Sequence, residues 1–229
     1  MRRIWSVLVV LATCGPTTRA DWWYTYEASE GTFPEQQGWQ RNTDAGGAQR
    51  WLEDGAFVLD ASADPAIIEC YSKGMESLPD PDDPTHAFVC DWRIRVDGVN
   101  GLWNPEMFVA FQGYGDIALE YKMDCIYSLH EGEYIAEFEP GVFHSYRFLT
   151  TDIETYTLAI DGTVVYTGQV SPWAPASWVE FGDNSPTDSS NSRWDYLRYG
   201  VIQVPEPGSI VLCVAAILGA PNRLRRRTR

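Results

Sequence analysis

Three glutamates, Glu133, Glu137 and Glu139, alternate through Glu133-Tyr134-Ile135-Ala136-Glu137-Phe138-Glu139. On an extended strand, side chains two apart point the same way, so parity places all three carboxyls on one face. Paired carboxyls flanking a sugar linkage are what glycoside hydrolysis requires. The chain holds 32 acids, however, and a solvated strand face explains the pattern more economically. His86, His130 and His144 are scattered, and the sequence contains no Gly-x-Ser-x-Gly elbow, His-Glu-x-x-His pair or phosphate-cradling glycine loop. Tryptophan offers a second chemistry. Trp103 and Asn104, in Gly101-Leu102-Trp103-Asn104-Pro105, together with Trp173 and Trp178 near Pro172 and Pro175, could form a sugar-stacking platform. An exposed ring presents an apolar face to a pyranose, and a polar neighbour fixes its orientation. Trp in a sheet protein also fills the core, so both readings stand.

Of five cysteines, Cys14 and Cys213 fall in terminal apolar runs, leaving Cys70, Cys90 and Cys125 between them. In an oxidising compartment one disulfide is expected, with one thiol left over. Cys70 and Cys90 lie in successive strand-like runs and are the preferred pair, although spacing leaves the other pairings open. No Cys-x-x-Cys or Cys/His cluster exists, which argues against zinc.

Charge is segregated along the chain. Arg2, Arg3 and Arg19 stand near the start, and Arg223, Arg225, Arg226, Arg227 and Arg229 at the end, with no acid among either group. That leaves nine bases against all 32 acids over 21–222, a balance of −23. Such a field repels nucleic acid and anionic lipid, so neither is expected as a partner.

Both ends read as targeting elements. Met1-Arg2-Arg3, the apolar Ile4–Ala12 and the small-x-small Thr18-Arg19-Ala20 make a secretory signal over 1–20, cleaved after Ala20 by signal peptidase. At the other end, Val204-Pro205-Glu206-Pro207 precedes the apolar run Ile210–Ala220 and then the arginines. The prolines stop a strand, and the basic cluster favours the inner side of a membrane. The run is short of the roughly 20 residues a spanning helix needs, making a marginal anchor.

Between the ends, over 21–202, apolar residues recur with period two in short bursts. These are Ala66–Tyr71, Ala87–Val96, Met107–Gln112, Ile117–Lys122, Tyr134–Glu139, Ser145–Thr150, Thr155–Ile160 and Val164–Thr167. Turn residues separate them: Asp97-Gly98, Gly113–Gly115, Glu131-Gly132, Pro140-Gly141 and Asp161-Gly162. This pattern predicts an all-β, antiparallel β-sandwich. Asp161-Gly162 predicts a tight hairpin.

Two resemblances follow from these residues. Val204-Pro205-Glu206-Pro207, the short apolar run and the basic end over 203–229 resemble the PEP-CTERM sorting signal. That resemblance implies export by a bacterium that makes exopolysaccharide, and processing by the membrane enzyme exosortase. His144-Ser145-Tyr146-Arg147-Phe148, then Thr155–Thr163 with its Ile160-Asp161-Gly162, resemble the paired central strands of laminin-G and concanavalin A-like jelly-roll domains. Asn191–Tyr199 looks like their final strand. The second resemblance implies a structural Ca²⁺ where first and last strands meet, with Asp195 in the last-strand position and Glu27 the nearest first-strand candidate, because hard oxygen ligands suit that ion. Laminarinase-like members carry Glu-x-Asp-x-x-Glu on one strand, which this chain lacks. The expected function is therefore a non-enzymatic, exported cell-surface or matrix protein. A carbohydrate-binding adhesin and, further off, a glycoside hydrolase are the alternatives.

Overall fold

The computed structural model describes residues 20–44, 47–63, 68–75, 77–78, 80–83, 85–100, 105–172, 174–184 and 188–204. Alternation of apolar and polar residues builds a chain of strands, β1 (Ala20–Glu27), β2 (Gln40–Thr43), β3 (Gln49–Glu53), β4 (Ala56–Asp60), β5 (Glu69–Gly74), β6 (His86–Asn100) and β7 (Glu106–Phe111). There follow β8 (Gly115–Tyr121), β9 (Cys125–Ser128), β10 (Glu133–Glu137), β11 (His144–Thr150), β12 (Thr155–Ile160), β13 (Thr163–Gln169), β14 (Trp178–Asp183) and β15 (Ser189–Gln203). Two short 3-10 turns, Ala28–Glu30 and Pro34–Gln37, are the helical elements among the described residues, and no helix there is long and apolar enough to cross a membrane.

The strands form two antiparallel sheets. The first runs β13-β12-β11-β6-β15-β4-β3, with β1 pairing on β15 beside β4. The second runs β10-β9-β8-β7-β14-β5-β2. The result is the expected all-β sandwich. Its inner faces are aromatic: Phe88, Trp92, Tyr146, Phe148, Trp194 and Tyr199 from one sheet meet Tyr71, Phe111, Tyr121 and Phe181 from the other. Phe181 and Trp194 lie with centroids 4.7 Å apart, and Phe88 meets Phe111 edge-on at 5.1 Å, geometries that favour ring quadrupoles beyond plain burial. The buried Trp92 indole donates to the Tyr121 hydroxyl at 2.6 Å, and the Tyr199 hydroxyl donates to the Gly74 carbonyl at 3.0 Å, so polar bonds also tie the sheets together.

The Asp161-Gly162 hairpin forms as predicted, with φ of 49° and 80° at the two residues and Ile160 opposite Thr163. Asp97-Gly98 does not turn. It lies inside β6, where Arg95 and Arg193 hold the Asp97 carboxylate and Gly98 pairs with Asn191. A second positive-φ pair, Asp54-Gly55 at 52° and 77°, instead joins β3 to β4.

Two further expectations are corrected. Glu133 and Glu137 do not share a face, because a bulge between Tyr134 and Ala136 breaks the parity of β10. Glu133 turns toward the first sheet and accepts from the Tyr166 hydroxyl at 3.1 Å. Cys70 and Cys90 are not bridged; they are free buried thiols, as is the less buried Cys125. Cys90 faces the core from β6 of one sheet, whereas Cys70 sits in β5 of the other and faces away from the core. Sheets stack about 10 Å apart, beyond the reach of a disulfide.

Candidate functional site

On β7, Met107, Val109 and Phe111 enter the core, so Glu106, Phe108 and Ala110 face outward from the second sheet. The same parity turns Asp116, Ala118 and Glu120 of β8 and Trp178, Glu180 and Gly182 of β14 to that outer face. Strand register then assembles them. Glu106 lies directly opposite Glu120 on one side and Gly182 on the other. One step along, Glu180 lies opposite Phe108, and Phe108 opposite Ala118. Beyond that, Trp178 lies opposite Ala110, and Ala110 opposite Asp116. The facing Glu106 and Glu120, with Glu180 on the diagonal, therefore make a line of carboxyls that borders the diagonal Phe108–Trp178 pair.

The β8 side of this face is withdrawn from solvent, whereas Glu106, Phe108, Trp178 and Glu180 are half-buried. All seven residues of β8 are buried, and Glu120 is 3% exposed. Its Oε2 atom is buried without a hydrogen-bond partner. Burial pushes the Glu120 carboxyl up to about 8, with the Glu106 charge adding to the rise. Burial likewise lifts Glu106 to about 7, reinforced by Glu180 and opposed by a hydrogen bond from Asn184. Glu180 is raised too, again by burial, although it accepts from the Asn184 amide at 3.1 Å and the Asn42 amide at 3.4 Å. Opposed carboxyls in a cross-strand pair stand about 5 Å apart at Cβ, and two such anions cannot both stay ionised cheaply.

The aromatic pair is a shelf. Phe108 stacks on Trp178 with centroids 5.3 Å apart at 21°, and His130 meets the Phe108 edge at 6.5 Å. The His130 Nε2 atom lies 2.8 Å from Asp116 Oδ1. Burial raises Asp116, while His130 opposes the rise.

Of the residues singled out from the sequence, Trp178 belongs to this face. Trp103, Asn104 and Trp173 lie outside the described residues, as do Pro205, Glu206 and Pro207 of the sorting motif; Val204 donates its backbone N–H to Thr85 at 2.7 Å. Glu27 and Asp195 do come together, since β1 and β15 pair with Glu27 opposite Tyr196. Asp195 is held by the Arg93 guanidinium at 2.6 Å. Burial raises the Glu27 carboxyl, Arg198 opposes this, and Asp195 adds to it. Among the described residues, no group of three or more His, Cys, Asp or Glu side chains is placed to hold a metal ion. The carboxyls of Glu106, Glu120 and Glu180 were not singled out from the sequence. The signal was present in Asp116-Ile117-Ala118-Leu119-Glu120-Tyr121, a strand whose polar positions are acids rather than the Ser and Thr of a wetted face.

No protein-family model matches the chain, and no curated protein matches it. Solved structures do. A carbohydrate esterase from the Shiga toxin-encoding bacteriophage phi24B superposes with a TM-score of 0.60 at 14% identity, covering 81% of this chain and 100% of that one. An endo-1,3-beta-glucanase from Streptomyces sioyaensis gives 0.58 at 12% identity, over 84% of this chain and 100% of the other. A glycosyl hydrolase family protein from Mycobacterium fortuitum gives 0.53 at 14%, over 78% and 99%. At these identities the likeness is one of fold: the domain is a concanavalin A-like, jelly-roll sandwich.

Proposed function

We propose that this chain is an exported cell-surface or matrix protein whose β-sandwich binds glycan on the outer face of its second sheet. The observation that carries the reading is the half-buried Trp178–Phe108 shelf bordered by the Glu180, Glu106 and Glu120 carboxyls on one sheet face. Rings that present a flat apolar surface beside hydrogen-bonding groups suit a pyranose. The fold neighbours, named for carbohydrate ester and glucan chemistry, lend support. Trp103 and Trp173 belong to the same proposal as further stacking residues, with Asn104 as a polar neighbour.

Export belongs to the proposal as well. Signal peptidase removes 1–20, the tail from 203 halts in the membrane, and exosortase acts near Pro205–Pro207 to hand the domain to the cell envelope or its exopolysaccharide. The acidic balance of the middle of the chain fits an outward-facing domain. A calcium ion between Glu27 and Asp195 would first have to displace Arg93, and it is retained as the proposed cofactor only on the closeness of those two acids.

Glycan-array binding followed by calorimetry tests the main reading. Trp178→Ala is expected to weaken the best oligosaccharide at least tenfold without loss of fold, and unchanged affinity would refute it. The facing carboxyls of Glu106 and Glu120 favour one second reading, glycoside hydrolysis. Reducing-sugar release that Glu106→Gln or Glu120→Gln abolishes would establish it.

A further inference from the structure

Asn184 and Asn42 serve Glu106 and Glu180, but Glu120 lacks a donor that its burial calls for. Glu106 and Glu120 face each other across β7 and β8, and Glu180 lies diagonally beyond on β14. The buried Glu120 Oε2 atom accepts from nothing. Such an oxygen has lost its water without gaining a donor, which is costly.

We propose that the Glu106, Glu120 and Glu180 row receives a primary ammonium group, carried by an amino-sugar unit whose ring lies on the Phe108–Trp178 shelf. This rests on the glycan-binding reading and narrows it to a substrate class. An ammonium brings what the row lacks: three N–H donors and one positive charge in a compact group. A neutral sugar brings donors but leaves the like charges opposed. A deacetylated hexosamine places the amine and the apolar ring face in one rigid unit, matching a line of carboxyls next to an aromatic pair.

The charged groups around the row bear this out. From β14 and the segment before β15, Asp183 and Asp188 add negative potential, as does Asp116 from β8. Lys122 opposes them at Glu120, but its ammonium lies over the Tyr127 ring at 4.2 Å. His130 is engaged with Asp116. Cys70, on β5, stays a thiol because burial holds its pKa far above neutrality.

Binding then has a proton signature. With carboxyls standing at about 7 and about 8, the row holds protons at neutral pH. Seating an ammonium stabilises the carboxylates, so carboxylic acid and ammonium give an ion pair and a proton released to solvent.

Isothermal titration calorimetry of the mature chain at about pH 7, in two buffers of different ionisation heat, tests this. The probes are a glucosamine tetramer, its fully N-acetylated counterpart, a neutral β-glucan tetramer and cadaverine. The glucosamine tetramer is expected to bind at least tenfold tighter than the other three and to release protons. Glu120→Gln and Glu106→Gln, which mimic the protonated acids and so preserve the fold, are expected each to cost at least tenfold and to diminish the release. Equal or tighter binding of the acetylated or glucan tetramer without proton release would overturn the ammonium assignment and leave the glycan reading intact. Cadaverine binding as tightly as the amino sugar, with no tetramer dependence on Trp178, would overturn the glycan reading instead. No binding of any probe overturns both.

Discussion

Glu106 and Glu120 make the stability of the fold depend on pH in a direction opposite to that of most carboxylates. Their pKa values rise from an ordinary 4.5 to about 7 and about 8, chiefly through burial. Between those limits the native state holds protons that the unfolded chain has released, so stability falls as pH rises from about 4.5 and stops falling above about 8. Glu69 works the other way. Its buried carboxylate takes two bonds from Arg41, at 2.6 and 2.8 Å, and one from the Tyr71 hydroxyl, and its pKa is lowered although burial alone would raise it. Its support is lost as pH falls through the carboxylate range. Thermal melts are therefore expected to peak at mildly acidic pH, and the double variant Glu106→Gln/Glu120→Gln is expected to flatten the decline between pH 5 and 8. A decline that survives the substitution would mean the protons reside elsewhere. These residues show what the sequence conceals. An acid at a polar strand position looks the same whether water or another strand's acid lies opposite. Trp178 could be singled out by residue type, and the structure adds its place on the outer face of the second sheet beside Phe108; Glu106 and Glu120 acquire their chemistry from register alone.

Strands were legible where turn chemistry and alternation agreed. β11, β12 and β13 follow Ser145–Thr150, Thr155–Ile160 and Val164–Thr167 closely, because Asp161-Gly162 pins the hairpin between the last two. Asp97-Gly98 and Asp54-Gly55 carry the same dipeptide with opposite outcomes. Arg95, two residues earlier on the same strand, and Arg193 from β15 hold the Asp97 carboxylate, and no local property of the sequence announces the arrival of Arg193. Disulfide pairing failed for a similar reason: adjacency in sequence placed Cys70 and Cys90 in successive strands, yet the chain crosses from one sheet to the other between them. Gly182 gives the sharpest test at this scale. Its φ is +133°, and a Cβ there would stand 2.5 Å from the Glu69 carbonyl and 2.8 Å from the Cys70 Cα. Those neighbours are backbone and cannot swing aside. Gly182→Ala is expected to destabilise by about 2 kcal/mol or more in urea unfolding; a loss under about 0.5 kcal/mol would show that β5 and β14 can separate without penalty.

At the scale of the whole molecule, the sandwich class was readable from period-two patterning, while the order of strands within each sheet was not. Sheet order is written in long-range pairings, and β15 supplies the longest. It pairs with β6 along most of its length and with β4 and β1 on its other edge. A version of the chain ending before 189 is expected to show no cooperative melt and no near-ultraviolet circular dichroism, and a sharp transition there would refute a central role for β15. That placement imposes a schedule. Until residues 189–203 arrive, β6 has an open flank, and Trp194, Leu197 and Tyr199 are missing from the interior. Under the proposed export, a polypeptide threaded through a pore with its amino end leading would thus emerge loose and close only at the last moment, when the segment next to Pro205-Glu206-Pro207 arrives.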